Sequence, residues 1–285
     1  MEEVSRLLLP WYDRCKRRLP WRDQPDPYAT WVSETMLQQT RVETVLSYYP
    51  RFMTRFPTVQ TLAEAPLEDV LKLWEGLGYY RRAQHLHRGA QQVVRDFDGQ
   101  LPRTPEELRT ITGIGPYTAG AIASIAFDVP CPAVDGNVIR VVSRVAGVRE
   151  DVGIPSVQRR IAETAAAWVP QERPGDFNQA LMDLGASLCC PGTPDCIKCP
   201  LASRCSALAE DDAELLPIKS RAAAPRVIAY DVALLMQDNR VLLRQRTETL
   251  LQGLWVFPLA EGTKTPAQLT KALHRALGLT CAYEK

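Results

Sequence analysis

"ITGIGPYTAGA", residues 111–121, is the stretch that decides the fold. Two glycines flank an isoleucine, a proline follows, and Tyr117 opens a run of small residues between two helical segments. Glycines at such a junction permit positive φ and close approach of the chain, and proline is favoured at the first position of a helix. Successive N–H groups and the N-terminus of the next helix then face one point, which suits a phosphate. The same residues also suit an ordinary tight turn, and the small residues after Tyr117 suit close helix packing. A related pattern, "GLGYY" at 76–80, stands 37 residues upstream of "GIGPY" at 113–117.

Downstream, "CPAVDGNVIRVVSRVAGV" places Val138, Val141, Val142 and Val145 at helical spacing, so Asp135 falls at the helix start. Aspartate there is a favoured N-cap, and a capping carboxylate is held rigid by N–H groups. That is also what a catalyst needs to stabilise positive charge. Upstream, "WVSETMLQQTRVE" reads as one helix that is apolar around much of its circumference, with Glu34 on the face of Leu37 and Gln38. A solvated or salt-bridged glutamate is the plain reading. A desolvated one would favour its protonated form, as a general acid near neutral pH requires.

The array "CCPGTPDCIKCPLASRC" sets Cys189, Cys196, Cys199 and Cys205 in a C-x6-C-x2-C-x5-C spacing, with Cys190 spare. Four thiolates in so tight a loop could bind zinc or a [4Fe-4S] cluster. Common zinc sites use two C-x2-C knuckles and this array has one, so the spacing favours iron–sulfur. The other cysteines, Cys15, Cys131 and Cys281, are scattered. That is not the distribution of a secreted disulfide framework, and a reducing cytoplasm is expected.

The remaining composition sets bounds. The chain has 285 residues, 46% of them hydrophobic, enough for one large or two ordinary domains. A formal charge of +1 announces no partner, although "RCKRR" at 14–18 is a local basic cluster. "MEEVSRLLLPWYDR" lacks the basic and long apolar regions of a signal peptide, and no apolar run approaches the ~20 residues of a membrane span. From about 5 to 210 the pattern is helical, clearest near 31–48, 66–75, 80–96, 105–112, 117–127, 137–146, 155–169 and 176–186. "EDDAELLPIKSRAAAPR" loses that period and reads as a linker over 211–226. The period then changes to strands, "VIAYDVALLMQ" and "RVLLRQR" around an Asp238-Asn239 turn, then "LWVFPL". A helix follows in "TPAQLTKALHRALG", with Thr265 as cap and Gly278 as stop. The α/β segment 227–285 is small for an independent core, so a truncated domain is expected.

Together, "SETMLQQT", "GLGYYRRA", "GIGPYTAGAI", "VDGNVIRV" and the cysteine loop resemble the helix-hairpin-helix DNA glycosylase superfamily with a [4Fe-4S] cluster, and within it the MutY-type adenine DNA glycosylases. The resemblance implies a mainly α fold of two lobes: a six-helix barrel at about 22–135 and a cluster lobe from 1–21 and 136–210. An α/β Nudix-like domain would follow. It implies base excision repair on double-stranded DNA, with adenine flipped out and removed opposite 8-oxoguanine or guanine by a monomer of the bacterial cytosol or nucleoid. Asp135 would stabilise the oxocarbenium-like sugar, Glu34 would protonate adenine N7, and Tyr117 and Asn137 would position Asp135 and the sugar. Gln39 and Tyr79 would wedge into the base stack. Gly113, Gly115 and Thr118 would hold the DNA backbone, and Trp21 and Arg22 in "LPWR" would lie by the base pocket.

Tyr117 separates this group from endonuclease III relatives. Those place at the hairpin a lysine whose amine attacks the sugar and forms a Schiff base. A tyrosine cannot form that imine, so a monofunctional glycosylase with little lyase activity is expected. In the second domain "TPAQLTKALHRALGL" lacks the glutamates of a Nudix box, so nucleotide hydrolysis is not expected. The chain also ends before the Phe-Ser-His-like loop by which the family reads oxidised guanine. Two rivals carry part of the same pattern: a thymine mismatch glycosylase of this fold, and a non-catalytic iron–sulfur DNA-binding or redox-sensing module.

Overall fold

The computed structural model describes residues 2–22, 26–220, 227–248, 253–262, 265–278, 280 and 282. They fall into two units, Met1–Ser220 and Arg221–Lys285. The first unit is helical. It runs through α1 (Glu2–Cys15), α2 (Pro27–Leu37), α3 (Val42–Arg55), α4 (Val59–Glu64), α5 (Leu67–Trp74) and α6 (Arg81–Asp96). It continues through α7 (Pro105–Leu108), α8 (Pro116–Phe127), α9 (Gly136–Ala146), α10 (Pro155–Trp168), α11 (Pro174–Ser187) and α12 (Ser206–Ala209). Proline opens α2, α7, α8, α10 and α11, where its missing N–H costs nothing and its fixed φ matches the helix.

Two cores organise this unit. One gathers Trp31, Val32 and Met36 of α2 with Phe52, Trp74, Leu86 and Ile122. The other joins Leu8 and Tyr12 of α1 to Val138, Val141 and Val142 of α9 and to Phe177, Leu181 and Leu184 of α11. The N-terminal helix thus packs with the C-terminal half of the unit. Leu19 and Trp21 already belong to the first core, so the lobes divide before residue 19 and not at 22.

Two further expectations need correction. The single helix read over 31–48 is two helices, α2 and α3, separated at 38–41 where Gln39 takes a φ of 56°. No glycine or proline marks that break; the bonds that hold it come from another helix. The linker read over 211–226 also begins late. Val152 N donates to Ile218 O (2.9 Å), Arg144 Nε donates to Leu216 O (3.0 Å) and Arg149 pairs with Asp212 (2.7 Å), so 211–220 belongs to the helical unit. Residues 221–226 lie outside the described residues.

The second unit holds antiparallel pairs: β1 (Tyr230–Val232) with β6 (Leu259–Glu261), β2 (Met236–Gln237) with β3 (Arg240–Val241), and β4 (Arg244–Gln245) with β5 (Trp255–Val256). Asp238 and Asn239 both take positive φ, 47° and 63°, as a type I′ hairpin turn requires. Helix α13 (Pro266–Leu277) is closed by a Thr265–Gln268 capping box and by Gly278 at φ 68°. Among the described residues no helix is long and apolar enough to cross a membrane.

Candidate active site

The site forms where the two cores of the helical unit meet. Helix α2 starts at Asp26, whose side chain accepts from Ala29 N (2.8 Å), and every residue from 28 to 36 is buried. Glu34 is therefore enclosed, 6% exposed, and accepts a hydrogen bond from Tyr117 Oη at the start of α8. Burial pushes its carboxyl up to about 7; the Tyr117 bond opposes this, the charge of Asp135 adds to it, and Arg22 opposes it. Burial also raises Tyr117 well above an ordinary phenol, and the Glu34 and Asp135 charges add to the effect.

Asp135 is the N-cap of α9. Its Oδ1 accepts from Val138 N (2.7 Å) and its Oδ2 from Asn137 Nδ2 (2.8 Å), so both oxygens are anchored. Burial raises its titration above the usual aspartate range, against the bonds from Val138 and Asn137. Asn137 is held in turn by Arg140, whose Nη2 donates to Asn137 Oδ1 (2.9 Å) and whose Nε donates to Cys189 O (2.7 Å). Arg140 thus runs from beside Asp135 to the cysteine loop.

The approach to Asp135 is set by packing. A Cβ on Gly120 would stand 2.1 Å from Pro132 O, so only glycine lets 131–134 cross α8. Asn178 of α11 fastens that crossing: its Oδ1 accepts from Ala133 N (3.1 Å), and its Nδ2 donates to Cys131 O (2.9 Å) and Ser124 Oγ (2.8 Å).

Both glycines of the turn are exposed. Gly113 takes φ 88°, Gly115 caps α8 without a side-chain bond, and a Cβ on Gly115 would meet nothing within 4 Å. The first N–H groups of α8 are left without intrahelical acceptors by helix geometry. The Thr118 side chain is buried and its Oγ1 accepts from Gln38 Nε2 (3.3 Å), so its backbone is the part that faces the turn. Gln39 and Tyr79 stand exposed at the tips of two loops, each at positive φ. Trp21 is buried edge-on against Tyr49 (5.3 Å between ring centroids) in the first core.

Arg22 leads to a residue the sequence reading missed. Its Nη1 and Nη2 donate to Asp183 Oδ2 (2.7 Å) and Oδ1 (3.1 Å), and Arg17 Nε donates to the same carboxylate (2.9 Å). Asp183 lies buried on α11 beside Met182, whose Sδ is 3.6 Å from Tyr117 Oη. An acid among Phe177, Leu181 and Leu184 is the same signal that marked Glu34, and it could have been read the same way.

Cys189, Cys196, Cys199 and Cys205 all line one cavity with Val141, Arg144 and Leu184. Among the described residues no three His, Cys, Asp or Glu side chains are grouped so as to hold a single metal ion. The donor set still fits a cluster, which takes one thiolate on each iron. Burial pushes Cys199 up to about 11 and raises Cys196 and Cys205, and neighbouring thiols add to each rise, so a cation is needed to keep them as thiolates. Arg144 Nη1 lies 3.4 Å from Cys189 Sγ and donates to Cys190 O (2.8 Å).

A glycine-hairpin helix start facing a buried acid, with an anchored aspartate between two helical lobes, defines the class of HhH-GPD superfamily base excision DNA repair proteins, which residues 32–171 match. The adenine DNA glycosylase of Rattus norvegicus is 51% identical over 211 residues, 71% of this chain and 41% of that protein. That of Buchnera aphidicola subsp. Acyrthosiphon pisum is 34% identical, covering 89% of this chain and 73% of that one. The chain belongs to the adenine DNA glycosylase family. It spans about two fifths of the rat relative's length. A solved thermostable thymine-DNA glycosylase superposes with a TM-score of 0.66 at 28% identity, over 73% of this chain and 97% of that one.

Proposed function

We propose that this chain is a monofunctional DNA glycosylase that removes adenine opposite 8-oxoguanine or guanine in duplex DNA. One observation carries the reading: the buried Glu34 carboxyl, bonded to Tyr117 and pushed up to about 7 by burial, lies beside the doubly anchored Asp135. Glu34 holds a proton at the pH where it is needed and passes it to N7 of the extruded adenine. The bond from C1′ to N9 then breaks with its electron pair leaving on the base. Positive charge builds on the sugar, where Asp135 opposes it at short range in a site of low dielectric. Water adds hydroxyl to C1′, and its remaining proton restores Glu34. Asn137 keeps the Asp135 oxygens aimed, and Tyr117 keeps Glu34 in place.

The open turn at Gly113 and Gly115 would take a DNA phosphate, and Gln39 and Tyr79 would enter the stack as adenine leaves it, at a cost of a few kcal/mol. The four cysteines would hold a [4Fe-4S] cluster that orders their loop. The hairpins and capped helix of 227–285 would form part of a Nudix-like domain that senses the base opposite adenine. The enzyme would act as a monomer at the nucleoid. A thymine mismatch activity is the second reading, favoured by the structural neighbour at 28% identity, against 51% for an adenine relative.

The test is single-turnover excision on A:8-oxoG, A:G and T:G duplexes. Breaks at adenine that appear only after alkali are the expected result. No adenine release from A:8-oxoG overturns the reading, release from T:G alone turns it to thymine, and a borohydride-trapped adduct in the pocket overturns the monofunctional assignment. For the cofactor, about four irons per chain and a yellow-brown colour are expected, and Cys199→Ser should lose both. One zinc per chain in colourless protein would contradict it.

A further inference from the structure

Arg82 stands in the first turn of α6, nine-tenths buried as a residue, and its guanidinium reaches the end of α2. Its Nη1 donates to the carbonyls of Thr35 (3.0 Å), Met36 (2.9 Å) and Gln38. Its Nη2 donates to Thr40 Oγ1 (3.0 Å) and to the carbonyls of Leu77 and Gly78 (both 3.2 Å). The first two carbonyls are among the last four of α2, which no intrahelical N–H can reach, and a cation there meets the negative end of the helix dipole. One planar group therefore closes both the loop after α2 and the loop before α6.

Each of those loops carries one non-glycine residue in the left-handed region: Gln39 at φ 56° and Tyr79 at φ 48°. Both side chains project into solvent, Tyr79 at 62% exposure. Such backbone is disfavoured for residues that carry a Cβ and persists where surrounding bonds over-determine it. Arg82 bonds to both loops, beside a bond from Trp74 Nε1 to Gly78 O (3.1 Å), and it stacks over the Tyr79 ring (5.5 Å to its centroid) and the Trp74 ring (5.4 Å). The two exposed tips are thus tied to a single rigid body.

We propose that Arg82 is a positioning residue that sets Gln39 and Tyr79 in a common frame, so that both enter the base stack in one step as the target base leaves. The inference rests on the wedge role given to those two residues above. It assigns Arg82 to opening the duplex and not to breaking the glycosidic bond. Lysine cannot replace it, because a single ammonium lacks the planar fork that spans two loops.

The test compares cluster-loaded full chain on two DNAs: an A:8-oxoG duplex, and the same strand with the adenine in an unpaired bubble. Arg82→Met is expected to lose about 100-fold in single-turnover excision on the paired duplex and less than about 3-fold on the bubble, as misplacement of the wedges predicts. Arg82→Lys should fall between, and 2-aminopurine in the adenine's place should brighten less with either variant than with the parent. Thr40→Val keeps the arginine and removes one acceptor, and it should show the same pattern more weakly. Should Arg82→Met fail to fold, the other two carry the comparison. Equal losses on both DNAs, or no loss on either, overturn the inference. If Gln39→Ala and Tyr79→Ala are harmless, the wedge assignment falls and this inference with it. A parent protein that releases adenine from neither DNA overturns the proposed function itself.

Discussion

Asp135→Asn is expected to slow adenine release by about 10⁴-fold, near 5.5 kcal/mol of transition-state stabilisation, while the protein stays folded. Asparagine is as good an N-cap as aspartate, so the bond to Val138 N survives and α9 still starts at Gly136. What goes is the charge, together with the acceptor for Asn137 Nδ2, because asparagine carries a single side-chain oxygen. A neutral amide cannot oppose a developing sugar cation where little water remains to screen it. Single-turnover excision should collapse while DNA affinity and the thermal midpoint stay close to those of the parent. A variant within about tenfold of the parent rate would remove Asp135 from the chemistry.

Glu34→Gln should cost about 10²–10⁴-fold in excision, the usual worth of a positioned general acid, and should stabilise the protein at alkaline pH. The Glu34 carboxyl titrates near 7 in the folded chain, above its ordinary value of 4.5. The folded state therefore binds the extra proton, and stability falls as pH rises from the lower value to the higher. Above about pH 7 the buried carboxylate costs on the order of 3 kcal/mol, which glutamine avoids. Thermal melts should place the variant above the parent near pH 8, with the gap closing below about pH 5. The parent's excision rate should fall above about pH 7 as Glu34 deprotonates, and at low pH as Asp135 protonates, a bell whose limbs belong to the coupled pair. A pH profile that Glu34→Gln leaves unchanged would contradict the acid role.

The residues legible in sequence were those whose chemistry clashes with local pattern. Glu34 interrupts an apolar helix, Asp135 precedes a valine run at helical spacing, and Tyr117 follows the glycines of a turn. Each could be read from a window of about one helix. Asp183 obeys the same rule, but its meaning comes from Arg17 and Arg22, 166 and 161 residues away. Asn178 and Arg140 look like ordinary helix polar residues, and their work lies in bonds to 131–133 and to Cys189. The helix read across 31–48 failed for the same reason. "LQQTR" holds no local breaker, and the break at 38–41 is bonded from α6, more than 40 residues on.

The sequence alone thus determined the helical class, the hairpin turn, the two carboxylates, the cysteine array and the change to strands after the first unit, because each follows from periodicity, capping or spacing within a short window. The tertiary structure decided which carboxyl loses water, which side chain orients it, and where a continuous helical pattern stops. Those outcomes depend on burial and on long-range donors such as Arg82, and desolvation and hydrogen-bond partnership belong to the packed chain and not to any segment of it.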